Sequence, residues 1–109
     1  MSDPASMYED LNTIADLDRL VHSPARLMIL AILSTIEAAD FTFLLQQTGL
    51  TRGNLSTHLA RLEEGGYITV KKEFVDRIPR TLIRLAPEGR EAVETYRKDM
   101  KLIIDRLLT

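Results

Sequence analysis

Two short helical patterns separated by a tight turn constrain this chain more than any other feature. Residues 42–48 and 51–64 each place apolar side chains at helical spacing, and Gly49 and Leu50 stand between them. Gly49 favours the end of the first helix, because glycine adopts the left-handed conformation without steric cost. The threonine that opens each segment, Thr42 in the first, is a suitable N-cap. We therefore predict two consecutive helices joined at a fixed angle.

The second of these helices has two chemically different faces. Leu55, Leu59 and Leu62 recur at the spacing of one helix face and are predicted to hold it in the core. The other positions are rich in side chains that bind DNA, since arginine pairs with guanine, asparagine pairs with adenine, and hydroxyl groups bind phosphates. A glycine near the helix start suggests that something approaches the backbone closely. The residues predicted to contact DNA are Thr51, Arg52, Gly53, Asn54, Ser56, Thr57, His58 and Arg61.

After a pair of glycines the period of the sequence changes from helical to alternating. Residues 67–75 and 80–86 are rich in β-formers and predict an antiparallel hairpin, with the sequence DRIP at its tip. Ile78 and Pro79 are expected to stiffen this tip. A basic hairpin that follows a DNA-binding helix can place its cations along phosphates or in a minor groove. The hairpin residues predicted to contact DNA are Lys71, Lys72, Arg77, Arg80 and Arg84.

The distribution of charge agrees with this assignment better than the net charge of −2 does. Residues 1–50 hold two basic and seven acidic residues, whereas residues 51–85 hold seven basic and four acidic ones. The basic charge is therefore concentrated in the segment that contains the predicted DNA contacts. The alternative is chance variation on a mixed surface, with polar positions that are simply solvated.

Amphipathic helices are predicted on both sides of this region. The first runs from Met7 to about Val21, the second from Pro24 to about Ile36 with Ser23 as its N-cap, and the last begins at Pro87. The apolar stripe of the last helix has the spacing of a helix–helix seam. The stripe could pack on its own chain, but we expect a homodimer. The predicted interface residues are Met7, Leu11, Ile14, Val93, Tyr96, Met100, Ile103 and Leu107.

Several classes of function find no support in the residues. The 109-residue chain has no cysteine, and its two histidines lie far apart, so we expect no metal site and no cofactor. No spacing typical of a nucleophilic triad or a phosphate-binding loop is present, which argues against an enzyme. The longest apolar run, residues 27–33, is far shorter than a membrane span, and the acidic N-terminus is unlike a signal peptide. We expect a cytoplasmic protein.

The motifs TGLTRGNLSTHLARLEEGGYI, RIPRTLIRLAPEGRE and SPARLMILAIL resemble the winged helix-turn-helix transcriptional regulators of the MarR/ArsR-like group, especially the small ones. The resemblance covers about residues 20–95. It implies a DNA-binding homodimer with a recognition helix at 51–64 and a wing at about 71–84. The chain departs from this group in two respects. The cysteine or histidine clusters of metal-sensing members are absent, and the ligand pocket of larger members cannot be placed.

These inferences give one expected architecture, mainly α with a β-hairpin wing (α+β). We predict a winged helix-turn-helix core at 23–86, an N-terminal arm and helix at 1–22, and a C-terminal dimerisation helix at 87–109, all in one domain. The expected function is that of a dimeric regulator of double-stranded DNA, and a repressor is the simplest form. A small-molecule effector is possible. The alternative is a winged-helix module that binds other proteins and has no specific affinity for DNA.

Overall fold

The computed structural model describes residues 4–108, with side chains from Ser6 onward. Five helices and three strands follow one another along this part of the chain. Their bounds are α1 Pro4–Ala15, α2 Pro24–Thr35, β1 Ala39–Asp40, α3 Phe41–Thr48, α4 Arg52–Glu64, β2 Ile68–Val75, β3 Ile78–Leu85 and α5 Pro87–Leu107. The predicted fold class, a winged helix-turn-helix with extra helices at both ends, is confirmed.

The sheet contains one strand that the sequence did not predict. The three strands are antiparallel in the order β1, β3, β2, and the short β1 pairs Ala39 with Ile83 and Asp40 with Leu82. A strand of two residues shows no alternation, so periodicity could not reveal it. Its effect is to fix the start of α3 against the wing.

A single apolar cluster joins the helices to this sheet. The three leucines Leu55, Leu59 and Leu62 of α4 are buried in it, as predicted. Val21 precedes α2, and the remaining members come from α2, α3 and the strands. These are Ile29, Leu30, Leu33, Ala39, Leu44, Ile68 and Ile83. The orientation of α4 therefore follows from close packing of side chains that have no polar alternative.

The capping residues of the core helices fit the sequence in all but one case. Ser23 accepts a hydrogen bond from the backbone N–H of Arg26, and Thr51 accepts one from that of Asn54. Gly49 ends α3 with φ of 70° in the left-handed region. The predicted cap at Thr42 is wrong, because Asp40 accepts the hydrogen bond from the N–H of Phe43 at 2.7 Å. The helix therefore begins one residue earlier, directly after β1.

The first helix is shorter than its periodicity predicts. It ends at Ala15 and not near Val21. The carboxylate of Asp18 accepts hydrogen bonds from the N–H groups of Leu20 and Val21, at 2.9 and 3.1 Å. An aspartate that binds its own following backbone in this way competes with the helix. Val21 lies beyond the helix but is fully buried, so its apolar character reflects the core and not a helix face.

The tip of the hairpin is tighter than predicted. Val75 pairs with Ile78, so that only Asp76 and Arg77 form the turn. Both have positive φ, 52° and 68°, which is the conformation of a type I′ turn and matches the twist of the strands. Ile78 and Pro79, predicted at the tip, belong to β3. Arg77 is therefore the cation nearest the end of the wing.

The terminal helices lie beside each other and extend the molecule. The helix α5 packs at its start against the wing, where a Cβ atom on Gly89 would collide with the carbonyl oxygen of Tyr67. Farther along, α5 packs against α1, and Arg106 forms an ion pair with the buried Asp10 at 3.4 Å. The described chain measures 62 × 25 × 21 Å. The far ends of both helices thus extend beyond the core cluster, while the start of α5 packs against it through Val93 and Tyr96.

Candidate nucleic-acid interface

The outward face of α4 carries four of the eight predicted residues. Gly53, Asn54, Thr57 and Arg61 lie opposite the buried leucines and are exposed. The hydroxyl of Thr57 donates a hydrogen bond to the carbonyl oxygen of Gly53 at 3.0 Å. The space beyond Gly53 is open, since a Cβ atom placed there would meet nothing within 4 Å. The glycine is therefore not required by packing within the chain.

The first residues of α4 have defined surroundings of their own. The hydroxyl of Thr51 serves as the cap of the helix. The guanidinium of Arg52 lies 6.0 Å from the centre of the Phe41 ring, in a cation–π arrangement. Arg52 is exposed, and this contact orients it at the junction of α3 and α4. An arginine held in this way loses less freedom when it binds a ligand.

Ser56 occupies a different surface from the outward face. It lines a shallow groove of about 230 Å³ between α4 and the sheet, together with Ala60, Val70 and Thr81. The groove also contains Phe41, Leu59 and Glu63. Ser56 is exposed on the side of α4 that faces the wing.

His58 lies on the opposite flank of α4, toward α2. Its Nδ1 atom is 3.1 Å from the Nη1 atom of the buried Arg26. Burial and the positive charges of Arg26 and Arg61 lower the pKa of His58 below its ordinary value. His58 is half-buried, unlike the other seven predicted residues of the helix, which are exposed.

The five predicted cations of the wing do not share one face. The strand register places Lys72 on the face of Ile68 and Val70, whereas Lys71, Arg80 and Arg84 lie on the other face. Arg84 pairs with Glu73 at 2.9 Å, and this pairing lowers the pKa of the Glu73 carboxyl. Arg80 approaches Asp40 at 3.5 Å. Two of the five cations are thus partly neutralised within the chain.

The wing also exposes apolar side chains that were not among the predicted site residues. Phe74 is 77% exposed, and Val75 and Ile78 are also exposed. Alternation alone did not distinguish them from core positions, because their exposure follows from their distance from α4 along the hairpin. Arg26 was missed as well. A charged residue inside the apolar segment PARLMILAIL was the signal that could have identified it.

The predicted dimer residues range from exposed through half-buried to buried. Met7, Leu11 and Ile14 form an exposed stripe along α1. On α5, Val93, Tyr96 and Met100 line an apolar groove of about 500 Å³, which ends at the unpredicted Ile104 and also includes Arg97, Lys101 and Asp105. Ile103 is only 3% exposed, so it is covered by its own chain, and Leu107 is half-buried.

The connection between α1 and α2, residues 16–23, joins the base of the wing to α5. The hydroxyl of Tyr67 donates a short hydrogen bond to Asp18, and this bond raises the pKa of Tyr67 to about 12. The Nδ1 atom of His22 lies 2.8 Å from the hydroxyl of Tyr96 on α5. The connection therefore contacts both the base of the wing and the long helix.

Comparison with known proteins decides the family. A winged helix DNA-binding domain model matches residues 25–104. The chain belongs to this family. In this winged helix protein the match includes α4, the wing and most of α5. The predicted resemblance to MarR-like regulators is confirmed, and a MarR-family regulator from Silicibacter pomeroyi shares the fold. A family of transcription regulators is not a class of enzymes.

Individual relatives agree with the family. The winged helix protein is 36% identical over 78 residues to an uncharacterised protein of Methanocaldococcus jannaschii, covering 72% of this chain and 85% of the relative. A transcriptional regulator homologue from Pyrococcus horikoshii is 31% identical, with a TM-score of 0.82, and the match covers 91% of this chain and 97% of that one. The repressor CouR, bound to a 23-mer DNA duplex, is 24% identical with a TM-score of 0.61, and the match covers 94% of this chain and 72% of that one.

Among residues 4–108, no helix is long and apolar enough to cross a membrane.

Proposed function

We propose that this protein is a transcriptional repressor that binds specific sites in double-stranded DNA as a homodimer. The observation that carries the proposal is the outward face of α4. Four exposed residues, Gly53, Asn54, Thr57 and Arg61, lie on a helix whose other face is fixed by three buried leucines. A rigid helix with short polar side chains and an open backbone position is suited to the major groove.

The start of α4 adds groups of the right chemistry for DNA. Arg52 is exposed beside the outward face and can bind guanine or phosphate. The backbone N–H groups at the first turn of a helix favour anions such as phosphate. The fold match to CouR, a repressor bound to a DNA duplex, supports DNA binding by a chain of this fold. Asn54 and Arg52 are therefore assigned to bases, and Thr51 and Thr57 to phosphates.

The wing supplies a second, less specific contact in this proposal. Arg77 stands at the tip and Lys72 on the face nearer α4, where phosphates or a minor groove would lie beside the recognition helix. Lys71 adds positive charge on the other face, where Arg80 is already partly neutralised by Asp40. Arg84 is assigned a smaller role, because it already pairs with Glu73.

Dimerisation is proposed through the two unpartnered apolar faces. The stripe of Met7, Leu11 and Ile14 on α1 is exposed, and the groove along α5, whose apolar side chains are mostly half-buried, is open in a single chain. In a dimer of this kind, the two recognition helices would enter successive major grooves about 34 Å apart. Leu11→Asp is expected to shift sedimentation equilibrium toward monomer and weaken DNA binding, whereas Asn12→Asp, which adds the same charge outside the stripe, should do neither.

The test of DNA binding is fluorescence anisotropy with a duplex from the region upstream of the protein's own gene, against a scrambled duplex, at two salt concentrations. We expect tighter binding to the upstream duplex, weakened by salt and by Arg52→Ala. If the affinities for the two duplexes are equal and do not change with salt, the proposal is contradicted. If the affinities are equal but fall with salt, a selection over random DNA follows, and failure to enrich any site in that selection would contradict the proposal.

One observation favours a different function. The exposed Phe74, Val75 and Ile78 of the wing would suit a module that binds another protein. Such a module would show no salt-dependent affinity for duplex DNA, so the same experiment separates the two. The small-molecule effector and the cytoplasmic location stay predictions.

A further inference from the structure

Arg26 is a buried charged residue of α2 whose guanidinium contacts three different residues. It is 9% exposed, although it carries a permanent charge. Its Nε atom donates a hydrogen bond to the carbonyl oxygen of Leu20 at 2.5 Å, and its Nη2 atom donates one to that of Arg19 at 3.1 Å. Its Nη1 atom faces His58 at 3.1 Å. One guanidinium therefore connects α2, the α1–α2 connection and the recognition helix.

The contact with His58 defines the state of the imidazole. A guanidinium can only donate hydrogen bonds, so the Nδ1 atom of His58 must accept. It can do so only when Nδ1 carries no proton, which means that the ring is neutral with its proton on Nε2. Protonation of Nδ1 would replace an attraction by two like charges in contact.

The surroundings of His58 disfavour the protonated form. Among the described residues, the charged groups that act on it are Arg26 from α2 and Arg61 from its own helix, and both are positive. The α1–α2 connection contributes the backbone carbonyls of Arg19 and Leu20, which are already bonded to Arg26. Together with partial burial, these charges lower the pKa of His58.

We propose that Arg26 and His58 are positioning residues that hold α4 at the angle required for DNA binding, and that protonation of His58 releases this contact. The inference rests on the proposed function. It gives His58 a different role from the direct DNA contact that the sequence predicted. The contact holds the flank of α4 that faces α2, whereas the leucines fix its depth in the core.

The two roles of His58 predict opposite effects of pH. A histidine that contacts phosphate binds DNA better when protonated, so a fall in pH from 7.5 to 5.5 would strengthen binding. A histidine that accepts from Arg26 loses its partner on protonation, so the same change would weaken binding. The free protein should also lose stability as the pH falls below 6.5, because the unfolded chain then binds the proton more readily.

The experiment measures affinity between pH 5.5 and 7.5, at constant ionic strength, for a duplex obtained by selection over random DNA. The variants are His58→Asn, which keeps an acceptor at the place of Nδ1 but does not titrate, and His22→Asn, which removes the other histidine. We expect the wild type to bind more weakly at pH 5.5, but by less than about tenfold, because the lowered pKa of His58 leaves the imidazole only partly protonated at that pH. His58→Asn should bind like the wild type at pH 7.5 and show no such loss, whereas His22→Asn should keep it. Circular dichroism at pH 5.5 should show that all three proteins remain folded.

Each other result overturns the inference in a recognisable way. Binding that strengthens at low pH in the wild type and not in His58→Asn would make His58 a phosphate contact. A loss that persists in His58→Asn, or no pH dependence in the wild type, would remove His58 from the account while the proposed function stands. Failure of the wild type to bind any selected duplex at any pH would overturn both proposals together.

Discussion

The recognition helix and the wing are both exposed and both rich in polar groups, yet they are built in different ways. On α4, buried leucines alternate with outward polar residues, so every outward side chain starts from a fixed backbone. On the wing, cations occupy both faces, two of them pair with carboxylates, and large apolar side chains lie among them. The first arrangement suits reading of bases, which depends on geometry, and the second suits attraction to phosphates, which depends on charge. The comparison predicts that mutations on α4 change which DNA is bound, while mutations on the wing change how strongly any DNA is bound.

The largest contrast is expected in stability. Leu62 is fully buried, so Leu62→Ala should lower the free energy of unfolding by about 2–5 kcal/mol. Phe74→Ala on the wing removes a larger side chain, but that side chain is mostly exposed, and we expect a change within about 0.5 kcal/mol. Urea unfolding of both variants measures this directly. Similar losses would mean that the tip of the wing is packed against something that the single chain does not show.

The next contrast is in base recognition. Arg52→Ala should cost about 1–3 kcal/mol of binding free energy on the best duplex and relax the preference at one base. Arg52→Lys is the matched control, since it keeps the charge and loses the planar fork that binds guanine. If Arg52 reads a base, the lysine variant keeps its salt dependence and loses specificity. Recovery of both by lysine would reduce Arg52 to a phosphate contact.

Gly53 tests whether DNA approaches the backbone of α4. The position has open space, so Gly53→Ala should raise the free energy of unfolding by about 0.5–1 kcal/mol through helix propensity. The same methyl group should weaken DNA binding if the backbone lies against the duplex. Thermal unfolding and anisotropy on one preparation give both values. Higher stability with unchanged affinity would place the DNA farther from this turn.

The smallest effect separates two cations of the wing. Arg77→Ala should make the slope of log affinity against log salt less negative by about 0.9, the value for one phosphate contact. Arg84→Ala should change the slope less, because Arg84 is paired with Glu73 in the free protein. Neither should change the ratio between a specific and a scrambled duplex. Equal slopes for both variants would mean that the ion pair opens on binding.

Local chemistry explains which features the sequence could predict. Ser23, Thr51 and Gly49 act on backbone groups within a few residues of themselves, and each is where the sequence placed it. The three leucines of α4 have distant partners, but their spacing along one helix face is a local signal. The features that the sequence did not predict depend on partners far along the chain or on side chains that compete for backbone hydrogen bonds. The first helix ends before Asp18, whose carboxylate binds the N–H groups of Leu20 and Val21 that a longer helix would pair with its own carbonyls, and β1 is paired with β3. The pairing of His58 with Arg26 joins residues 32 positions apart and has no periodicity to reveal it.

The faces of the wing were hidden for a related reason. Composition counts cations, whereas the register decides on which side of the sheet each one lies. Arg80 and Arg84 look equivalent to Arg77 in the sequence, but the fold brings carboxylates to the first two and leaves the third in the turn. Similarly, the stripe on α5 could not show that Ile103 is covered by its own chain while Ile104 is exposed.

The central claim, that α4 reads sequence while the wing supplies charge, is tested most directly by one ratio. The affinity for a selected duplex is divided by that for a scrambled duplex, for the wild type, Arg52→Ala and Arg77→Ala under the same salt. We predict that Arg52→Ala lowers this ratio and that Arg77→Ala leaves it unchanged while weakening binding to both duplexes. If Arg52→Ala leaves this ratio unchanged, or if only Arg77→Ala lowers it, the assignment of base recognition to α4 is contradicted.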